Sequence, residues 1–221
     1  MIRPFGEHAL LVDLDGPVAA QLLDADLRHD PIPGVLGTIP GHASLLVELD
    51  PSVDDPRALA RVLDERLAGL DQGMPATVRR RVIPVVYGGA DGPDLPEVAA
   101  LAGLTELEVV ERHAGAELRV LFGGFAPGFG YLGDLPDELR LARLATPRTR
   151  TPAGSVAIAG AMTGIYPAAL PGGWRVIGRT PVVLFDPRRD PPAYLVAGDM
   201  VRFEPIEPEA WDGHAGIPGD W

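Results

Sequence analysis

The spacing of apolar residues changes near residue 87. The sequence before this point predicts one kind of structure and the sequence after it predicts another. Before it, apolar runs of strand length alternate with stretches in which apolar residues recur every three to four positions, as in amphipathic helices. After it, short apolar runs are separated by turns, and 18 of the 65 residues in 121–185 are Gly or Pro. Many short strands with such turns are typical of a closed barrel. We therefore expect a small α/β domain over 1–80 and a mainly-β barrel domain over 81–221.

The first domain is predicted to have the element order β-α-β-β-α-β, the ferredoxin-like arrangement. Two helices can then cover one face of a four-stranded sheet. The helices are expected to begin at Pro17 and at Asp54-Asp55-Pro56, because proline and aspartate favour the start of a helix. The predicted strands are His8–Leu14, Val35–Ile39, Ala43–Leu49 and, closing the sheet, Val78–Val86.

Two short helices are predicted to open the second domain. One begins at Asp94-Leu95-Pro96 and ends at Gly103, and the next begins at a capping-box match formed by Thr105 and Glu108. The strands expected after them are Glu117–Phe122, Ser155–Ala159, Trp174–Ile177, Val182–Phe185, Tyr194–Val196 and Met200–Phe203.

Charge and composition exclude several classes of function. The net charge of -12 disfavours a nucleic-acid or anionic-membrane partner. The chain contains neither cysteine nor lysine, which excludes disulfides, cysteine-ligated metals, a thiolate nucleophile and the phosphate-loop lysine. The five histidines show no paired metal-ligand spacing, so no metal site is predicted. No apolar run has the length of a signal peptide or a membrane span, and a cytoplasmic protein is expected.

Residues 121–185 are locally basic, with six arginines against three acidic residues. A positive patch suits a small anion, although ordinary variation of surface charge gives the same pattern. Arginine offers a planar fork to a carboxylate or phosphate, and hydroxyl groups can bind an oxyanion in an apolar pocket. The candidate anion-binding residues are Arg148, Arg179, Thr163, Tyr166, Thr180 and Ser155. No catalytic residue is assigned, because the sequence around Ser155 does not match the nucleophile motif G-x-S-x-G.

Aromatic residues and glycines alternate at short spacing over 123–133. Glycines allow the backbone to approach a ligand closely. The segment is either a loop that lays its rings over a flat substrate or a partner chain, or a barrel corner with the rings packed inside. The candidate loop and partner-facing residues are Phe125, Pro127, Phe129, Tyr131 and Trp174.

Five ordered segments in this region closely resemble the family of the bacterial 5-oxoprolinase B subunit, also called the KipI family or allophanate hydrolase subunit 1. They are Gly124–Gly133, Pro152–Gly160, Thr163–Pro167, Pro171–Trp174 and Ile177–Pro181, with shorter matches at Gly6–Val12 and Gly198–Phe203. Three positions depart from the family pattern: Ala142-Arg143 stands where a Pro-Arg pair is usual, Met162 where Gln is usual and Leu170 where Ser is common.

The resemblance implies a small α/β domain followed by a cyclophilin-like β-barrel. It also implies one component of a hydrolase that converts 5-oxoproline, ATP and water to glutamate, ADP and phosphate, with ATP as co-substrate, with or without Mg²⁺. Activity is expected only in a hetero-oligomer with the barrel-like C subunit and with the A subunit of 5-oxoprolinase. Two alternatives stay open: a protein that binds and inhibits a sporulation-type histidine kinase, and a component of a related amide- or urea-metabolising complex.

Overall fold

A computed structural model describes residues 1–53, 55–70 and 78–214, which divide into two units, Met1–Val78 and Arg79–Trp221. None of the helices in these described ranges has the length and apolarity that crossing a bilayer requires. We keep the predicted domains 1–80 and 81–221 as a proposal that proteolysis can test.

The first unit is a four-stranded antiparallel sheet with two helices. Its elements are β1 (Ile2–Pro4), β2 (Ala9–Asp13), α1 (Pro17–His29), β3 (Val35–Pro40), β4 (Ser44–Leu49) and α2 (Pro56–Gly69). Alternate residues of the central strands face the core, such as Leu10 on β2 and Leu45 on β4, where they pack with Leu23 and Leu63 of the helices. The carboxylate of Asp55 accepts hydrogen bonds from two backbone amides in the first turn of α2, as its predicted capping role requires.

The predicted closure of this sheet by Val78–Val86 is wrong. A strand does form there, β5 (Arg80–Tyr87), but it pairs only with strands of the second unit. The sheet order is β1-β2-β4-β3, so β1 occupies the edge beside β2. The physical reason lies in β5 itself, where residues 83–86 are all buried. Such a continuous run suits a strand covered on both faces, whereas an open sheet with one solvated face favours alternation.

The second unit contains a closed barrel of seven strands, as predicted, in the order β10-β7-β6-β13-β5-β12-β9. Neighbouring strands are antiparallel except β13 and β5, which run parallel. Its further elements are α3 (Leu95–Ala102), α4 (Glu106–Gly115), β6 (Leu118–Gly123), β7 (Gly130–Gly133), β8 (Arg148–Thr151), β9 (Ser155–Ala159), β10 (Met162–Ile165), β11 (Leu170–Gly172), β12 (Arg175–Arg179) and β13 (Met200–Pro205). Strands β8 and β11 form a separate two-stranded sheet.

Several local predictions for the second unit are confirmed and others are wrong. The capping box of Thr105 and Glu108 is present at the start of α4. Val182–Phe185 and Tyr194–Val196 are not strands, because this region forms only isolated pairings such as that of Phe185 with Ala193. Conversely, β7, β8, β10 and β11 lie where only turns and motifs had been expected. Glycine has low strand propensity, so tertiary pairing rather than local sequence produces strands such as β7.

We expect limited proteolysis to cut between residues 71 and 79 more readily than within 120–185. The connection between two units is the usual site of first cleavage, whereas β5 is held in the barrel by its pairing with β13 from Arg80 onward and with β12 at Val86 and Tyr87. Mass spectrometry of the fragments from a nonspecific protease locates the cut. Preferred cleavage within 120–185 would contradict the proposed domain division.

Candidate functional site

Five aromatic side chains from three segments of the second unit surround a cavity of about 130 Å³, which we call the aromatic cavity. These rings belong to Phe125, Phe129, Tyr131, Tyr166 and Trp174. The Phe129 ring lies edge-on to all four others, with centroid distances of 4.9 Å to Tyr131, 5.4 Å to Phe125, 5.6 Å to Tyr166 and 5.7 Å to Trp174. Such edge-to-face contacts are the favoured aromatic geometry. The rings therefore pack on one another and also form the wall of a small open site.

Two motif glycines make this packing possible. A Cβ atom at position 164 would lie 2.8 Å from Cζ of Phe129. A Cβ atom at position 172 would collide with the hydroxyl oxygen of Tyr166. Glycine at these two positions is therefore required by the close approach of the rings, which explains its place in the T-G-I-Y-P and P-G-G-W segments.

The loop before β7 forms the rim of the aromatic cavity. Phe125 is 57% exposed and adopts a left-handed backbone conformation with φ of 65°. Pro127 does not line the aromatic cavity; with Phe125 and Phe129 it lines an adjoining apolar groove of about 520 Å³. Of the predicted partner-facing residues, Phe125 and Pro127 are thus exposed to a ligand or partner, whereas Phe129 and Trp174 are buried.

Arg143 supplies positive charge to the aromatic cavity. Its guanidinium carbon lies 6.0 Å from the centroid of the Trp174 ring, within the range of a cation–π contact. In the described part of the chain, no carboxylate forms an ion pair with Arg143, so its donors are available to an anion. The candidate residues from the sequence did not include Arg143. The signal that could have found it is its match to the arginine of the family's Pro-Arg pair.

Tyr166 adds a hydroxyl group to the same wall. Burial raises the pKa of Tyr166, and its hydrogen bonding with the backbone of Trp174 and the nearby charges of Arg143 and Arg148 offset part of that rise. The phenol therefore remains protonated at neutral pH and is able to donate a hydrogen bond.

Arg148 is occupied by a structural ion pair. Its Nη2 atom lies 2.5 Å from Oδ1 of Asp94, and its Nη1 atom donates to the carbonyl of Trp174 at 3.4 Å. The side chain of Asp94 is only 8% exposed, and its second oxygen accepts a hydrogen bond from the amide of Val176 at 2.7 Å. Arg148 thus links β8 to the start of α3 and to β12.

Arg179 lies at the other end of β12 and does not join Arg148 in one anion site. Its Nε atom donates to the carbonyl of Ala153 at 3.0 Å, and Nη1 lies 3.5 Å from the carboxylate of Asp91. The guanidinium carbon also lies 5.2 Å from the ring centroid of Trp211.

Ser155 and Thr180 are buried near the same turn. Their relative exposures are 1% and 2%, and the Thr180 hydroxyl accepts a hydrogen bond from the amide of Val182 at 3.2 Å. Neither lines the aromatic cavity. Of the six predicted anion-binding residues, the structure brings only Tyr166 to this cavity.

Thr163 belongs to a hydrogen-bonded chain in the barrel interior. Its hydroxyl donates to the carbonyl of Ala157 at 3.0 Å, so it accepts from Nε2 of His113, also at 3.0 Å. The other ring nitrogen, Nδ1, then accepts from the hydroxyl of Tyr87 at 2.8 Å. The imidazole also stacks on Phe203, with 4.5 Å between the ring centroids. Burial lowers the pKa of His113 from 6.5 to about 3, so the ring is neutral in the folded protein.

This buried imidazole is expected to make stability depend on pH. The folded pKa lies below the unfolded one, so stability is fully present above pH 6.5 and is lost as the pH falls toward 3. Between pH 7 and pH 5 the wild type should lose about 2 kcal/mol more free energy of unfolding than a His113→Gln variant. Urea unfolding at both pH values measures the difference, and parallel pH profiles for the two proteins would contradict it.

Known proteins resemble this chain over most of its length. Residues 1–195 match the family described as carboxyltransferase domain, subdomain C and D. The 5-oxoprolinase B subunit of Escherichia coli O157:H7 is 45% identical over 90% of this chain and 93% of its own length. The protein of the same name from Bacillus subtilis (strain 168) is 37% identical over 97% of this chain and 95% of its own length. The chain belongs to the 5-oxoprolinase B-subunit family.

Solved structures of larger proteins contain the fold of this family member. The crystal structure of TTHA0988 matches with a TM-score of 0.77 and 38% identity, covering 94% of this chain but only 40% of TTHA0988. The Kluyveromyces lactis urea carboxylase matches all of this chain with a TM-score of 0.76, and the match covers 24% of the carboxylase. At 22% identity, the second match shows a shared fold. Among the described residues of this member of the 5-oxoprolinase B-subunit family, no group of three or more His, Asp or Glu side chains could hold a metal ion.

Proposed function

We propose that the chain is one component of an ATP-dependent 5-oxoprolinase and binds the lactam substrate in the aromatic cavity. The reaction converts 5-oxoproline to glutamate while ATP becomes ADP and phosphate, with one water consumed by each hydrolysis. The observation that carries the proposal is the guanidinium of Arg143, which lacks a carboxylate partner among the described residues and stands beside a ring-lined cavity of about 130 Å³. Family membership supports the same reaction.

The substrate's chemistry fits this cavity in three respects. 5-Oxoproline is a flat five-membered lactam that carries one carboxylate, and arginine pairs with carboxylates through two parallel hydrogen bonds. Aromatic faces and edges suit the apolar ring. The cavity of about 130 Å³ lies below the range of pockets for drug-sized ligands, about 300–1,000 Å³, as expected for so small a substrate.

The wall of the aromatic cavity offers groups that bind and orient the lactam. Activation of its amide is expected to take place in the assembled complex. In the proposed reaction the terminal phosphoryl group of ATP is transferred to the amide oxygen and ADP leaves. One water then attacks the amide carbon and the C–N bond breaks, and a second water releases phosphate to leave glutamate. Charge that develops on the transferred phosphate calls for arginine and amide donors. The chain has no lysine, so a lysine of the phosphate-loop type would come from the C subunit or the A subunit.

The isolated chain is expected to be inactive, and its complex with the A and C subunits is expected to be active. The assay measures ADP and glutamate formed from 5-oxoproline, ATP and Mg²⁺ by the purified chain, by the two partner proteins and by the mixture. Turnover confined to the mixture supports the proposal. Robust turnover by the chain alone, or none by a mixture that co-purifies, would contradict it.

A second candidate function is inhibition of a histidine kinase by direct binding. The observation that favours it is the exposed ring of Phe125 at the apolar groove that it shares with Pro127. Exposed apolar surface of this kind is typical of protein contacts. A Phe125→Ser variant should then lose inhibition of kinase autophosphorylation, whereas a gene for the C subunit next to this one would favour the enzyme.

A related cyclic amide or urea derivative is the remaining alternative substrate. Met162 and Leu170 pack against the aromatic cluster where the family pattern has Gln and Ser. The shell around the aromatic rings is therefore more apolar at these two positions than the family pattern implies, although neither residue lines the aromatic cavity. Testing the reconstituted mixture with urea beside 5-oxoproline distinguishes these substrates.

A further inference from the structure

Three arginine side chains line a second cavity of the second unit, which shares no lining residue with the aromatic cavity. It has a volume of about 290 Å³, and we call it the arginine cavity. Its charged and aromatic lining residues are Arg79, Arg81, Arg189, Asp190 and Tyr194.

Fixed contacts hold two of these guanidinium groups in place. Arg79 donates two parallel hydrogen bonds to the carboxylate of Asp199, both at 2.9 Å. The guanidinium carbon of Arg81 lies 4.7 Å from the centroid of the Tyr194 ring. The positions of these charges are therefore set before any ligand arrives, which lowers the cost of ordering them on binding.

Arg189 contributes donors that lack an acceptor. Its guanidinium carbon lies 5.9 Å from the centroid of the Tyr194 ring, and Nη2 donates to the carbonyl of Pro192 at 3.1 Å. The Nε and Nη1 atoms are buried, and no acceptor for them exists among the described residues. A buried donor without a partner is costly, more so when it is charged. An oxyanion bound in the cavity would satisfy both atoms.

The balance of charge at this cavity is positive. Three arginines face two carboxylates, and one of these, Asp199, is already bound by Arg79 and is 3% exposed. The other, Asp190, stands at the cavity wall. This excess of positive charge occurs in a chain whose net charge is -12, so it is not a consequence of composition.

We propose that the arginine cavity binds the phosphate groups of a polyphosphate ligand. The planar fork of arginine matches phosphate oxygens, and the Nε and Nη1 donors of Arg189 lie in the same cavity as the positive charges of Arg79 and Arg81. The volume of about 290 Å³ far exceeds one water-sized site of about 30 Å³, so there is space for more than a single small ion. The choice of a polyphosphate rests on the ATP-dependent function proposed above, whereas the anion site rests on the arginines alone.

Calorimetric titration of the full chain with sodium tripolyphosphate, ATP and adenosine tests the proposal without any turnover. Tripolyphosphate and ATP should bind, adenosine should not, and rising NaCl should weaken the binding because exposed charges are screened. Equal binding of tripolyphosphate and ATP would assign the site to phosphates alone, and tighter binding of ATP would add contacts to its nucleoside. Binding by the chain, together with no 5-oxoprolinase activity of the mixture with the A and C subunits, would support the site and contradict only the proposed reaction.

Variants locate the binding in this cavity. Arg189→Gln should weaken tripolyphosphate binding at least tenfold, whereas the neighbouring Arg188→Gln, whose guanidinium binds Asp186, should change it less than twofold. Asp190→Asn removes a negative charge from the wall and should tighten binding several-fold, which keeps the test valid if Arg189→Gln does not fold. Absence of binding by the wild type, equal affinities of the Arg189 and Arg188 variants, or no gain with Asp190→Asn would overturn the proposal.

Discussion

Replacing Arg143 with alanine should lower kcat/KM of the reconstituted complex for 5-oxoproline by at least about thirtyfold. Arg143 is exposed in the free chain, and in the proposed complex the bound substrate desolvates its charge pair. Loss of one partner of such a pair costs about 2–5 kcal/mol, and each 1.4 kcal/mol is a factor of ten. The melting temperature should stay within about 2 °C of the wild type, because no described carboxylate pairs with Arg143 and surface substitutions of this kind change stability little.

Arg150→Ala is the matched control for Arg143. Arg150 is exposed, lies in the same basic segment and does not line the aromatic cavity. Its removal therefore changes the net charge equally and should leave kcat/KM within about twofold. If both variants lose activity equally, the effect is one of general charge, and the assignment of Arg143 to the substrate carboxylate is wrong.

Replacing Arg148 with alanine should instead destabilise the protein. The substitution leaves Asp94 buried, and the amide of Val176 is then its one remaining side-chain partner among the described residues. Breaking a buried pair costs about 3–5 kcal/mol. Because the Arg148 side chain is 31% exposed, we expect about 2–3 kcal/mol, and a lower melting temperature by roughly 5–10 °C.

The double variant Arg148→Ala, Asp94→Ala tests whether the loss of stability comes from the unpaired carboxylate. Removing both charges should recover part of the lost stability, since no unpaired carboxylate then remains buried. Arg150→Ala, two residues along the chain, again serves as the control and should melt within about 2 °C of the wild type. If the Arg148→Ala protein is stable but has low activity, then Arg148 binds the substrate anion, and its pairing with Asp94 is not its main role.

Local signals in the sequence predicted much of the fold. Pro17, Asp55 and the capping box of Thr105 and Glu108 mark helix starts because their effects depend on neighbours within one turn. The density of Gly and Pro correctly indicated a closed barrel. The sheet to which β5 belongs depends on a partner, β13, far along the chain, and a strand pattern does not identify its partner.

The candidate site could be predicted only in part for the same reason. All five aromatic residues of the cavity were among the candidates, because rings beside glycines are conspicuous in a sequence. Arg143 was missed because only its place in the family's Pro-Arg pair marks it; charge and neighbouring residues do not distinguish it from Arg148. Arg148 differs from Arg143 because it pairs with the carboxylate of Asp94, which lies 54 residues earlier in the chain.

The parallel pairing of β5 with β13 has a consequence for the order of events during synthesis. The strands of the first unit find their partners within about fifty residues, so that unit can form while the rest of the chain is still being made. In the barrel, Arg80 pairs with Met200, and β13 separates β5 from β6. Until the ribosome has released Pro205, β5 and β6 each present an open edge to solvent. Contacts between distant residues form slowly, and unpaired edges attract other chains. We therefore expect this protein to depend most on chaperones while β5 and β6 wait for β13 to be synthesised.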